Sequence, residues 1–153
     1  MALVGPDGPN GDPGGDPEHR DQRNVMVQVD ANPADLPTLR VVAADLAARA
    51  DFDLDTVADL RLAVDEAASE LVAVAAPGAV LTCVFSLDPV QLKVISSVHV
   101  RPGATLQQDS FGWRVLTTLV DEVLVIGEPG AELPTLGISL CKRRWGQAPT
   151  ECP

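Results

Sequence analysis

Tyrosine is absent and aromatic residues make up only 3% of the 153 residues, which leaves little for stacking nucleobases or lining an aromatic ligand cage. Basic residues are scarce as well. Eleven Lys and Arg stand against 22 Asp and Glu, a formal net charge of -11. A surface that tracks phosphates needs clustered Lys and Arg, so no nucleic-acid partner is expected. The only basic cluster, Lys142-Arg143-Arg144, reads as a solvated strand end or a protein contact. The three cysteines, Cys83, Cys141 and Cys152, are far apart and form no C-x-x-C pair. Neither a disulfide framework nor a zinc site is indicated, and reduced thiols are expected, with Cys83 and Cys141 as small core residues. No run of roughly 18 apolar residues occurs, and the N-terminus is acidic and rich in Gly and Pro where a secretory signal needs a basic and then an apolar stretch. The expectation is a soluble cytoplasmic protein with no membrane partner.

What is present is enough apolar material, 46% of the chain, to fill one core. Residues 1–23 mix Gly and Pro with Asp and Glu and have almost no apolar anchor after Val4, so they read as a disordered tail. Residues 24–145 read as the domain and 146–153 as a C-terminal tail. Val25, Val27 and Val29 alternate with Met26 and Gln28 at the period of a half-buried strand. After Asn32-Pro33, the steps Leu36, Leu39, Ala43, Leu46 and Ala50 predict a helix from about Asp35 to Arg49. Asp53 or Asp55 can cap a second helix whose stripe is Val57, Leu60, Val64, Ala67, Leu71 and Val74, ended by Pro77-Gly78.

Ala79 to Ser86 and Val90 to Val98 read as strands of a hairpin. His99 to Ser110 has no period and reads as a loop. Leu116, Leu119, Val120 and Val123 predict a third helix from Phe111 or Gly112, and two closing strands, Val123 to Ile126 and Leu136 to Cys141, flank Glu128-Pro129-Gly130. Five strands and three one-sided helices pack most simply as a two-layer α/β (α+β) sandwich, with a mainly antiparallel mixed sheet and its helices on one face. Trp113 and Trp145 read as packing anchors; His19 and His99 have no company at metal-ligand spacing.

The most informative run lies in the second helix, Leu60-Arg61-Leu62-Ala63-Val64-Asp65-Glu66-Ala67-Ala68-Ser69-Glu70-Leu71. Glu66 and Glu70 are four apart and share a helix face, where like charges repel. On the residues alone this is a solvated acidic face with Arg61 offsetting Asp65. With the element order, however, the run resembles the catalytic helix of bacterial anti-sigma factor serine kinases, a branch of the gyrase and histidine-kinase ATPase superfamily. Ser110-Phe111-Gly112-Trp113-Arg114 through Asp121-Glu122-Val123 is similar to that family's last helix, and Gly137-Ile138-Ser139-Leu140 with Lys142-Arg143 to its final strand. The resemblance spans about Val25 to Arg144.

The resemblance implies a histidine-kinase-like ATPase (Bergerat) fold with ATP and Mg²⁺ as cofactors, Glu66 at the position of the general base, and Glu70 where an Asn normally ligates Mg²⁺. Gly103 and Gly112 stand as remnants of the ATP-binding loops. The family's Asp-x-Gly-x-Gly adenine motif is missing from Ser96 to Gly103, and its Gly-rich phosphate loop is reduced to Gly112. The resemblance also implies a homodimer near the first strand and helix, a sigma factor of RNA polymerase as partner, and an anti-anti-sigma antagonist that displaces it. Arg40, with Asp35 nearby, matches the partner-binding position; the alternative for Arg40 is a surface charge balanced by Asp35 or Asp45. Two functions follow as expectations. One is a sigma-sequestering regulator with a degenerate nucleotide pocket, and the other an active serine kinase that phosphorylates the antagonist; a fold-sharing adaptor without a sigma partner is a weaker third.

Overall fold

The computed structural model describes residues 22–127 and 134–144, and the architecture follows from the periodicities above. Strand β1 (Arg23–Asp30) leads through a single 3-10 turn, Pro33–Asp35, into helix α1 (Leu36–Arg49). Helix α2 (Leu54–Val74) comes next, then strands β2 (Val80–Leu87) and β3 (Gln91–His99), helix α3 (Phe111–Leu119), and strands β4 (Glu122–Gly127) and β5 (Thr135–Arg143). The expected order is reproduced with most boundaries moved by one to three residues; the third helix ends at Leu119, so Val123, expected on its stripe, belongs to β4. Caps explain the sharpest of them. The Asp53 side chain accepts from the Thr56 amide at 2.7 Å to start α2, and the Ser110 hydroxyl accepts from the Trp113 amide at 3.1 Å to start α3.

The five strands form one sheet in the order β1-β2-β3-β5-β4, and all four pairings are antiparallel. The expected mainly antiparallel sheet is thus antiparallel throughout the described residues. Register puts alternate residues on the helix side: Leu81, Cys83, Phe85 and Leu87 of β2, Leu92, Val94 and Val98 of β3, and Ile138 and Leu140 of β5 are all buried. Against them pack Leu60, Val64, Ala67 and Leu71 of α2 and Leu39, Ala43 and Leu46 of α1, one stripe from each helix. Each large apolar side chain buried this way contributes about 1.5–3 kcal/mol.

Several side chains take roles other than those expected. Cys83 is a free core thiol beside the Ser96 hydroxyl at 3.2 Å, and burial pushes its pKa up. Cys141 is disulfide-bonded, so the expectation of reduced thiols holds for Cys83 alone. The basic cluster after Leu140 is turned inward to the protein's own structure. Lys142 Nζ donates to the Leu119 carbonyl at the end of α3, Arg143 approaches Glu122 at 4.0 Å, and the Arg144 guanidinium lies over the Phe52 ring at 5.3 Å. Trp113 packs in the core as expected. Trp145, His19, Cys152, the Glu128-Pro129-Gly130 turn and the two tails lie outside the described residues.

One close backbone approach depends on a missing side chain. A Cβ on Gly137 of β5 would stand 2.8 Å from the Ser96 carbonyl oxygen of the neighbouring strand, and backbone cannot rotate away as a side chain can. Replacing Gly137 with Ala is expected to destabilise the fold by about 1–3 kcal/mol, the usual cost of overpacking a fitted site. Urea unfolding checks this; an unchanged midpoint would show that β3 and β5 can move apart freely.

Candidate functional site

The acidic pair of α2 points at the start of α3. Glu66 and Glu70 lie one turn apart on the same helical face, flanked by the buried Ala67 and Leu71 that fix the helix against the sheet. Facing them is Gly112, the second residue of α3. A Cβ at position 112 would collide with a carboxyl oxygen of Glu66 and one of Glu70, and would come within 3.2 Å of the Glu66 carboxyl carbon. The atoms a Cβ would meet are the ends of two flexible side chains, so Gly112 is what lets the carboxyl groups rest against the helix start, a placement that its position as a lone loop glycine did not show.

Electrostatics at this contact are unusual for a helix surface. The Glu70 carboxyl is held above its usual value, first by burial, then by the charge of Glu66, and then by a hydrogen bond to Glu66 that needs its proton. The pair is thus best satisfied as one carboxylic acid donating to one carboxylate, beside the first turn of α3, where the helix dipole favours a negative charge. The bland expectation of a solvated acidic face is corrected: both residues are partly buried between helices.

Arg40 is not balanced by Asp35 or Asp45. Its Nε lies 3.4 Å from Asp65 Oδ1, bridging α1 to α2, while Asp45 is taken by Arg49 at 2.9 Å. Arg61 accordingly does not serve Asp65 as expected. Asp35 occupies the cap position of α1, but its side chain makes no capping hydrogen bond. Asp65 is the residue that reasoning from sequence missed as a partner for Arg40. The available signal was that both flank buried stripe residues, Leu39 and Val64, of consecutive helices. Gly103 sits in a turn after β3 with φ of +80° and open space about it, away from the carboxyl pair. His99 shares a 3.1 Å hydrogen bond with Thr135, and no group of three or more potential metal ligands exists among the described residues.

The full set of residues does not fit a magnesium polyphosphate. Two carboxyl groups stand side by side against the α3 start, and a second carboxylate beside the first repels the negative charge of a polyphosphate. No chemical step is derived through nucleotide here.

Comparison with known proteins decides the family. No protein-family model matches the chain. It is 34% identical over 128 residues to the protein named anti-sigma-F factor RsbW in two strains of Mycobacterium tuberculosis, covering 82% of this chain and 76% of that protein. The chain belongs to the RsbW-type anti-sigma factor family. The solved RsbU and RsbW domains of a Mycobacterium tuberculosis protein align with a TM-score of 0.56 at 20% identity, over 80% of this chain and 32% of that one. That likeness supports the fold alone, a Bergerat-type α/β sandwich. Among the described residues no helix is long and apolar enough to cross a membrane.

The raised pKa of Glu70 gives a signed expectation. Between about pH 4.5, its usual value, and the higher folded value, the native state holds more protons than the unfolded chain, so stability falls as pH rises through this window and the penalty is complete above it. Glu70→Gln removes the ionisable group while keeping the hydrogen bond to Glu66. It is expected to raise stability at about pH 7.5 by a few tenths of a kcal/mol, the size of a like-charge pair on a helix, with the gain fading as pH falls toward about 4.5 and absent below it. Urea unfolding of both proteins at the two pH values measures it. Equal midpoints at both would mean the pair is solvated after all.

Proposed function

We propose that this chain is an anti-sigma factor that holds a sigma subunit of RNA polymerase without nucleotide and yields it to a competing anti-anti-sigma protein. Family membership supplies the class of activity, at 34% identity over most of both chains. The observation that supports the nucleotide-free version is the placement of Glu66 and Glu70 against Gly112, where two neighbouring carboxyl groups would repel a polyphosphate. Binding of macromolecules needs a surface and no nucleotide, and Arg40 supports this reading. Arg40 is half-exposed on α1, and its salt bridge to Asp65 holds a planar five-donor group in a fixed orientation at the helix surface.

The same region offers contact area for a second copy. Strand β1 stands at the edge of the sheet, Met26 on it is 64% exposed, and Val41 on α1 is 68% exposed. Exposed apolar side chains beside an open strand edge suit a homodimer, with Arg40 free for the sigma factor or its antagonist. Partner exchange at one surface is then mutual exclusion, which requires no covalent chemistry.

Two measurements test this. The purified protein mixed with its cognate sigma factor is expected to co-elute in gel filtration without nucleotide, and Arg40→Ala is expected to weaken the complex about tenfold or more. The same change should cost the free protein less than about 1 kcal/mol, because a half-exposed ion pair contributes little to folding. Titration calorimetry with Mg-ATP is expected to be silent to millimolar concentrations. Failure to form the complex, or micromolar nucleotide binding lost in Glu66→Ala, would replace this proposal with the kinase alternative.

A further inference from the structure

A cavity of about 420 Å³ lies at the opposite end of the sheet from Gly112 and is lined by three arginines, Arg23, Arg49 and Arg144, with Asp88 the only acidic residue among its described lining. In a chain of net charge -11 such a concentration of cations is out of keeping with the rest of the surface. The three come from separate elements. Arg23 opens β1, Arg49 closes α1, and Arg144 follows β5, so the fold, not local sequence, gathers them.

Internal pairing does not exhaust their donors. Asp88 is committed to its own turn, its Oδ1 accepting from the Val90 and Gln91 amides at 2.7 and 2.8 Å. Asp45 engages Arg49. Arg144 is held flat over Phe52, and its Nε is buried without any hydrogen-bond partner, the one such side-chain nitrogen or oxygen among the described residues. A buried guanidinium N–H left unmade is costly, and a carboxylate oxygen is its natural complement, since guanidinium and carboxylate match in planar geometry.

We propose that this cavity is a carboxylate-binding site that takes acidic side chains of a peptide segment. Two sources share that chemistry: another protein, or this chain's own residues 1–21. The second is favoured by proximity. Residues 1–21 carry Asp7, Asp12, Asp16, Glu18 and Asp21 and join the described chain at Gln22, next to Arg23 of the cavity wall. Free carboxylates meet a partly exposed arginine site only weakly, but a short tether holds them at an effective concentration on the order of millimolar. The site would thus be filled from within until a stronger acidic ligand competes. This inference does not rest on sigma binding, and its test is read on the protein alone.

The test follows the Nε–H signals of Arg23, Arg49 and Arg144 by NMR in the full chain. Neutralising the segment with Asp12→Asn, Asp16→Asn, Glu18→Gln and Asp21→Asn is expected to shift the Arg144 signal. Adding a synthetic peptide of residues 1–21 to that variant is expected to restore it saturably. Arg23→Gln, an exposed change at the strand start that leaves the core untouched, is expected to weaken the restoration severalfold. If neutralisation moves nothing but an unrelated acidic peptide of equal charge shifts these signals saturably, the site stands and its ligand comes from another chain. No shift in either arm, or an identical response in Arg23→Gln, would overturn the proposal.

Discussion

Close contact between α2 and α3 at Gly112 governs the character of the whole molecule. Two carboxyl groups stand against a residue with no side chain, and burial together with the charge of Glu66 raises the pKa of Glu70 there. Every other departure of this region from a nucleotide enzyme agrees with that contact. The loop between β3 and α3 has neither the acidic residue nor the paired glycines of an adenine site, and Ala104 and Leu106 within it pack back against the core. The chain's own acids thus sit beside the helix start, where an anion is electrostatically welcome.

The carboxyl pair and Arg40 belong to the same helix layer and are joined through the Arg40–Asp65 bridge, Asp65 being next to Glu66 on α2. The carboxyl pair lies in the cleft between two helices, whereas Arg40, Met26 and Val41 lie on the outer side of α1 and on the sheet edge. The core beneath, built from one stripe per helix and one face per strand, supports both without depending on either.

Most of the fold was legible in the residues, since each helix shows an apolar stripe at steps of three and four and each strand either alternates or is bounded by turn residues. Asp53 and Ser110 even marked where α2 and α3 begin. What could not be read were pairings across elements. Arg40 meets Asp65 and not Asp35, Lys142 caps the end of α3, and Arg23, Arg49 and Arg144 converge on one cavity. Such contacts are set by how helices and strands dock, and side chains far apart in sequence carry no local sign of their future neighbours. The carboxyl pair stood between these cases. Its spacing was plain, but only the docking of α3 showed that it faces a glycine instead of water.

Strand β5 lies between β3 and β4, although it follows both in the chain. Until residue 143 has been made, β3 and β4 have no neighbour to bridge them, and the hydrogen-bonding edges of both stand bare. During synthesis, then, β1, β2 and β3 can zip into a meander early, while α3 and β4 wait for the last strand to arrive and wedge itself in. Without β5 the sheet is a three-stranded meander with β4 unattached, and the pairing of β5 with both neighbours is what joins the two parts.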